Sequence, residues 1–221
     1  MGIDSIIPLN DLAEGDIPLS PIVTQKGVLS TSFRHFRERF GIYNNGAAPQ
    51  YFKNEHLHFK DGTYPELMAD MFSSHMAYQV AGGHVVLAGK YIGLIEIYDD
   101  QSQTFRTILC PEGSLTVDFD KEKSQDKGVL MKNSHTERKY LQVVTSEDRI
   151  YALYSGKQKG SSSSSDYSYS NRVFVLDLKG EPVEILELES DTPSIAVDSA
   201  DLHLYAIHNR PEPTLVRYDL Q

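Results

Sequence analysis

Two short stretches, residues 150–153 (IYAL) and 204–207 (LYAI), share nearly the same sequence and decide how this chain folds. Each follows a polar turn, and that turn follows a short apolar segment. After each stretch the chain passes through a loop into an apolar segment ending in Asp-Leu, at residues 173–178 and 215–220. Repeats of roughly 40–50 residues, each an antiparallel meander of strands, are typical of a β-propeller.

Strand patterning extends this repeat over most of the chain. Short apolar runs rich in Val, Ile, Tyr, Phe and Leu are separated by turns containing Gly, Asp, Asn and Pro, as expected of half-buried strands. Strands do not alternate with helices, which disfavours a doubly wound parallel sheet. We therefore predict an all-β fold, a β-propeller built of four-stranded antiparallel meanders. About four blades are recognisable, at residues 18–52, 74–109, 140–189 and 193–220.

Composition narrows the classes of function. The chain has 221 residues with 21 Lys and Arg against 31 Asp and Glu, a net charge of −10. This acidic balance argues against general nucleic-acid binding and against docking on anionic lipid, because both need basic surfaces. The single cysteine, Cys110, excludes an intrachain disulfide. No window of about 18 apolar residues is present, so we predict no transmembrane segment.

Two segments interrupt the strand pattern. Residues 65–72 (PELMADMF) begin with proline, which suits the first position of a helix, and predict one or two helical turns. Residues 118–126 (DFDKEKSQD) are similar to a calcium-binding loop, but they lack its glycine and its terminal glutamate. Their mixture of lysine and acidic residues predicts a solvated, charged loop.

These strand and turn motifs resemble those of the TolB-like six-bladed propeller proteins that are common in Bacteroides and related bacteria. The resemblance covers roughly residues 20–220. Its matching stretches are residues 61–65 (DGTYP), 93–98 (GLIEIY), 148–156 (DRIYALYSG), 172–183 (RVFVLDLKGEPV) and 204–207 (LYAI). The resemblance implies a six-bladed fold and, from the signals of longer relatives, a cell-envelope or secreted protein, although residues 1–6 have no features of a signal peptide.

The number of blades raises the question of completeness. Four recognisable blades against six in the resembled family predict a propeller fragment that lacks N-terminal blades. Such a fragment would expose a blade face and a strand edge, which predicts a homo-oligomer formed through that edge. In the alternative, the chain is a single closed domain whose residues 3–9 pair with residues 214–220.

Candidate site residues are few. His56 and His58 lie two positions apart, so a strand would direct both imidazoles to one face, where they could share a divalent metal. We treat this pair as a candidate metal site. Tyr64 stands in a turn before a proline, and Tyr167 and Tyr169 follow a run of serines. Because tyrosine is enriched at interfaces, Tyr167 and Tyr169 are candidate ligand-binding residues. Tyr64, in a rigid loop element with Pro65, is a third candidate, although a structural role also fits it.

No catalytic pattern was found, so we expect a non-enzymatic binding or scaffold protein without a cofactor. Its loop faces would recognise a protein, peptide or glycan, and the acidic charge favours a cationic or neutral ligand. The alternative is a metal-dependent hydrolase similar to propeller lactonases, with a divalent ion in the channel. Asp70, Glu96, Asn133 and Asp198 are the side chains available for it.

Overall fold

The computed structural model describes residues 18–24, 26–32, 38–44, 47–55, 65–110, 115–160, 167–208 and 212–220. The chain divides into two compact units, Met1–Asp70 and Met71–Gln221. Strands of the described residues form three four-stranded sheets and one three-stranded sheet, all with antiparallel neighbours. This confirms the prediction of an all-β fold made of antiparallel meanders. Neither described helix is long and apolar enough to cross a membrane.

The first unit contains one meander with strands in sequence order. Its elements are β1 (Pro18–Thr24), β2 (Gly27–Ser32), β3 (Glu38–Tyr43) and β4 (Gln50–Lys53), followed by α1 (Pro65–Met71), whose last residue belongs to the second unit. Phe40 is fully buried and its ring stacks on Phe52 with centroids 4.6 Å apart. The helix confirms the prediction made from residues 65–72.

The second unit contains three meanders, whose strands also follow sequence order. The first has β5 (Ser74–Gln79), β6 (His84–Gly89), β7 (Leu94–Asp99) and β8 (Thr104–Leu109). The second has β9 (Glu137–Thr145), β10 (Arg149–Gln158), β11 (Ser170–Asp177) and β12 (Pro182–Thr192). The third has β13 (Ile195–Val197), β14 (His203–His208) and β15 (Thr214–Asp219).

Residues of the two repeated stretches pack between these three sheets. In β10, Ile150 and Ala152 pack toward the β5–β8 sheet, while Tyr151 packs toward the β13–β15 sheet. In β14, Leu204 is the counterpart of Ile150 and packs back onto the β9–β12 sheet. Because side chains alternate along a strand, Tyr205 then occupies the position of Tyr151. The repeated stretches therefore lie in equivalent strands, and their matched residues Ile150 and Leu204 face the preceding sheet.

The connection between β8 and β9 contains a second helix, α2 (Lys121–Lys127). The carboxylate of Asp120 accepts a hydrogen bond from the backbone N–H of Lys123 at 3.1 Å and caps the N-terminus. Gly128 ends the helix with a φ of 64°, which glycine adopts without strain. The prediction of a charged loop over residues 118–126 is wrong, since both caps are present in the sequence and stabilise a helix.

Strand direction gives the second unit two distinct ends. The first strands of its sheets lie side by side, with β9 between β5 and β13. Arg138 and His75, near the starts of β9 and β5, are in contact, and so are Glu147 and Gln79 near the strand ends. These strands therefore run parallel. We call the end with the strand starts the connection end and the opposite end the hairpin end.

Candidate functional site

At the hairpin end, the turns that follow β5, β9 and β13 enclose a cleft of about 340 Å3. This volume is within the range of small ligand sites. The residues that line its walls include Tyr78, Val80, Ser146, Glu147, Val197 and Ser199. Val80 is 75% exposed, so an aliphatic surface faces solvent at the cleft. The side chain of Glu147 is exposed beside it.

Hydrogen bonds lock the three turns to one another. Gln79 is almost completely buried, and its side-chain Nε2 donates to the carbonyl oxygen of Glu147 at 2.7 Å. Its Oε1 accepts from the backbone N–H of Gly82 at 2.6 Å. The backbone N–H of Glu147 in turn donates to the carbonyl oxygen of Ser199 at 3.1 Å. One glutamine side chain and one peptide group thus fix the walls of the cleft.

The hairpin end is acidic. Its five turns, residues 80–83, 100–103, 146–148, 178–181 and 198–202, contain six carboxylates and one lysine. The carboxylate of Asp99, next to one of these turns, accepts hydrogen bonds from the backbone N–H groups of Gln101 and Ser102. These bonds hold the turn in shape and lower the pKa of Asp99. The cleft therefore combines an aliphatic wall with negative charge.

At the connection end, cationic side chains surround an aromatic ring. Tyr91, in the turn between β6 and β7, is 6% exposed. The ammonium of Lys132 lies 4.7 Å from the centroid of the Tyr91 ring and the guanidinium of Arg138 lies 5.2 Å from it. Arg138 also donates from Nη1 to the Tyr91 hydroxyl oxygen at 3.0 Å, and its Nη2 lies 3.3 Å from Nε2 of His75. We call these four residues the Tyr91 cluster.

Backbone hydrogen bonds fix the turn that carries this cluster. The N–H of Lys90 donates to the carbonyl oxygen of Ser73 at 2.8 Å, and the N–H of Lys139 donates to the carbonyl oxygen of Lys90 at 2.9 Å. The turn is therefore tied to both neighbouring first strands. Burial, then the positive charges of Lys90 and Arg138, lower the pKa of His75 to about 3. His75 is consequently neutral at physiological pH.

Of the predicted ligand-binding residues, Tyr167 and Tyr169 lie at the connection end, in the loop between β10 and β11. Both are half-buried. The carbonyl oxygen of Tyr167 accepts from the Ser155 hydroxyl at 2.9 Å, and that of Tyr169 accepts from the Lys157 ammonium at 2.9 Å. Their backbone is held in place, and their role in binding stays a prediction.

The predicted metal residues His56 and His58, and the candidate ligand residue Tyr64, lie outside the described residues. Within the described ranges, no three His, Cys, Asp or Glu side chains converge on a possible metal position. Asn133, offered for the alternative hydrolase, precedes β9 at the connection end, whereas Asp198 follows β13 at the hairpin end. The structure therefore does not bring these two side chains together.

Sequence reasoning missed both sites of the second unit. Gln79 and Glu147 are 68 positions apart, and Tyr91 and Arg138 are 47 positions apart. Each pair joins residues of neighbouring sheets, and none of the four stands in a recognisable motif. The sequence feature related to these sites was an acidic residue in several turns. Those residues had already been counted in the net charge and did not locate a site.

Comparison with solved structures gives distant matches. A chain in "Crystal Structure of Mitotic Checkpoint Complex" is 14% identical with a TM-score of 0.49, covering 99% of this chain and 56% of that chain. The Pyrococcus horikoshii acylaminoacyl peptidase is 9% identical with a TM-score of 0.49, covering 92% and 31%. The Myceliophteria thermophila Cps50 (Swd1) beta-propeller domain is 10% identical with a TM-score of 0.36, covering 90% and 68%. This chain thus spans less than two thirds of the first two.

Sequence comparison identifies the family of the chain. No curated protein matches the chain significantly. One family model does match, described as TolB-like 6-blade propeller-like, and it covers residues 23–200. The match begins near the end of β1, includes the other strands of the first three meanders and extends through β13 of the fourth. It agrees with the antiparallel meanders and with the repeated packing positions of β10 and β14. This chain belongs to the TolB-like 6-blade propeller-like family.

Proposed function

We propose that this protein is a binding scaffold that holds a segment of a protein partner in the hairpin-end cleft. The observation that carries the proposal is the cleft itself, whose three turns are locked by Gln79 and by the peptide group of Glu147. A cleft fixed before binding loses little conformational entropy when a ligand enters it. This arrangement suits recognition by a rigid surface.

The lining indicates the chemistry of the partner segment. Val80 is an exposed aliphatic side chain that gains stabilisation when an apolar group covers it. Glu147 contributes a carboxylate at the same place, and the turns at residues 100–103 and 198–202 carry three further carboxylates. A segment with lysine or arginine next to an aliphatic residue therefore fits better than an acidic one. This agrees with the expectation, from the net charge of −10, of a cationic or neutral ligand.

A peptide titration monitored by NMR tests this proposal. The ¹⁵N-labelled protein is titrated with acetyl-GKVGKVG-amide and with its acidic counterpart acetyl-GEVGEVG-amide. We expect the basic peptide to shift the backbone amides of Val80, Ala81 and Ser199, and the acidic peptide to leave them unchanged. Added salt should weaken binding, because the exposed charges are screened.

Two variants with matched controls locate the site. Val80→Ser removes the aliphatic contact and should weaken binding about fivefold, which corresponds to roughly 1 kcal/mol of lost burial. Its control is Val183→Ser, at an exposed valine of β12. Glu147→Lys reverses the charge at the cleft and should weaken binding further. Glu122→Lys makes the same change of net charge on α2 and should leave the affinity unchanged.

Three outcomes would contradict the proposal. Equal binding of both peptides would show that charge does not contribute to recognition. Peptide-induced shifts confined to other loops would show that the cleft is not the binding site. An effect of Val183→Ser as large as that of Val80→Ser would point to nonspecific association. Any of these results would make the hairpin-end cleft a structural feature rather than a binding site.

A further inference from the structure

The last sheet of the second unit has one strand fewer than the other sheets. The sheets β1–β4, β5–β8 and β9–β12 each have a fourth strand beside the third. In contrast, β15 is the third strand of its sheet, and no described strand pairs with its outer side. The third strands β7 and β11 contain no exposed residue, whereas four of the six residues of β15 are exposed. The outer side of β15 is therefore an open sheet edge.

The hydrogen-bond pattern shows which backbone groups of β15 face this edge. The N–H of Leu220 donates to the carbonyl oxygen of Leu202 at 2.8 Å, so these two residues form a hydrogen-bonded pair that continues the β14–β15 ladder. Such pairs alternate along an antiparallel ladder, so the even-numbered residues of β15 bond to β14. The N–H and C=O groups of Leu215, Arg217 and Asp219 point outward instead. Within the described ranges, these backbone groups have no hydrogen-bond partner.

The side chains beside the edge indicate what an added strand would carry. Leu215 is 70% exposed, and its cross-strand partner Ile207 is also exposed. Arg217 and Asp219 lie on the same face as Leu215, because side chains alternate along a strand, and both are exposed. Residues directly opposite one another in a ladder interact. An added strand therefore fits best with an apolar residue opposite Leu215, an acidic one opposite Arg217 and a basic one opposite Asp219.

A second copy of β15 would match the same charges, because Arg217 of each copy would face Asp219 of the other. Opposite residues of an antiparallel pair share a face, however. The second copy would therefore bring its own β9–β12 sheet to the face where β12 already lies against β14. A single extended segment has no such sheet, and three sheets of this protein hold a strand at this position. These observations favour a segment over a second copy.

We propose that β15 is a docking edge for an extended segment of a protein partner, which adds to the sheet as its fourth strand. The segment runs antiparallel to β15, as the neighbouring strands of this sheet do. Its main chain bonds to the outward groups of Leu215, Arg217 and Asp219, and its side chains give specificity. From its N-terminus it carries basic, apolar, acidic, apolar and apolar residues. No residue of β15 lines the hairpin-end cleft, so the two sites are independent.

Peptides with selectively methylated backbone nitrogens test this proposal. The ¹⁵N-labelled protein is titrated with acetyl-TKVEVLT-amide, whose second, fourth and sixth residues would lie opposite Asp219, Arg217 and Leu215. We expect the backbone amides of these three residues to shift. N-methyl groups on the fourth and sixth residues remove donors that face β15 and should weaken binding at least about tenfold. N-methyl groups on the third and fifth residues face away from β15 and should leave binding unchanged.

Charge order and the apolar contact provide further variants. The peptide acetyl-TEVKVLT-amide has the same composition and net charge, but should bind about threefold more weakly, because like charges then lie opposite. Arg217→Asp combined with Asp219→Arg retains the net charge and should reverse this preference. Leu215→Thr suits a strand but removes apolar contact, and should weaken binding about fivefold. Its control is Leu109→Thr, at an exposed leucine of β8, which should leave binding unchanged.

Four results would overturn the proposal. The first is the absence of shifts at about 5 mM peptide, where roughly millimolar affinities are detectable. The second is equal binding of the two N-methylated peptides, because main-chain pairing would then play no part. The third is a set of peptide-induced shifts confined to β8, β12 or the hairpin-end cleft. The fourth is a shift of the β15 amides with protein concentration alone, which would assign the edge to a second copy.

Discussion

The half-buried histidine of β5, His75, leads to a quantitative expectation for stability. His75 has an ordinary pKa of 6.5 in the unfolded chain and a pKa of about 3 in the folded protein, first because of burial and then because of Lys90 and Arg138. Between these values the unfolded chain binds a proton that the folded protein does not. Stability is therefore highest above pH 6.5 and falls as the pH decreases toward 3.

The size of this effect follows from proton linkage. At pH 5 the unfolded histidine is almost fully protonated, while folded His75 remains neutral. Relative to pH 7.5, this difference lowers the free energy of unfolding by about 2 kcal/mol, at 1.36 kcal/mol for each pH unit below 6.5. The variant His75→Gln retains an oxygen that can accept from Arg138, but it cannot be protonated.

Urea unfolding at pH 7.5 and pH 5.0 measures this difference. We expect the wild-type protein to lose about 2 kcal/mol more than His75→Gln between the two pH values. Exposed His135 provides the control, since His135→Gln should retain the wild-type loss. Equal denaturant slopes establish that the same transition is compared. Parallel losses in wild type and His75→Gln, within about 0.5 kcal/mol, would refute the reasoning, because His75 would then titrate alike in both states.

Three further substitutions test the packing and the hydrogen bonds of the second unit by urea unfolding. Gln79→Leu removes the bonds that join two turns and should destabilise the protein by about 1–3 kcal/mol; a loss under about 0.5 kcal/mol would contradict that role. Ile150→Ala should cost about 2–5 kcal/mol, because this side chain is fully buried between sheets, whereas Ile185→Ala at an exposed position should cost much less. Tyr151→Phe removes the hydrogen bond to Asp201 at 2.8 Å and should cost about 0.5–1.5 kcal/mol; an unchanged stability would show that water replaces this bond.

Local sequence patterns predicted the elements of this protein well. Short apolar runs between turn residues identified the strands, because β-branched and aromatic side chains suit a half-buried pleated sheet. Pro65 placed α1 correctly, since proline suits the first turn of a helix. α2 was missed although Asp120 and Gly128 mark both of its ends. Its alternating charges were given more weight than its capping residues, which local stereochemistry makes the better guide.

The two candidate sites could not be predicted in the same way. Gln79 meets Glu147, and Tyr91 meets Arg138, across the interface of two separate sheets. No periodicity links residues so far apart in sequence, because their contact depends on how the sheets pack. His75 illustrates the consequence, since its lowered pKa follows from burial and from cations that other segments bring near it.

The sequence by itself determined the repeated meander and the faces of its strands. The matched residues Ile150 and Leu204 bury against the preceding sheet because the alternation of side chains along a strand is a local property. Only the tertiary structure decided which polar groups share an end of the second unit. Those encounters depend on the parallel alignment of β5, β9 and β13, which arises from apolar packing between sheets and not from any segment alone.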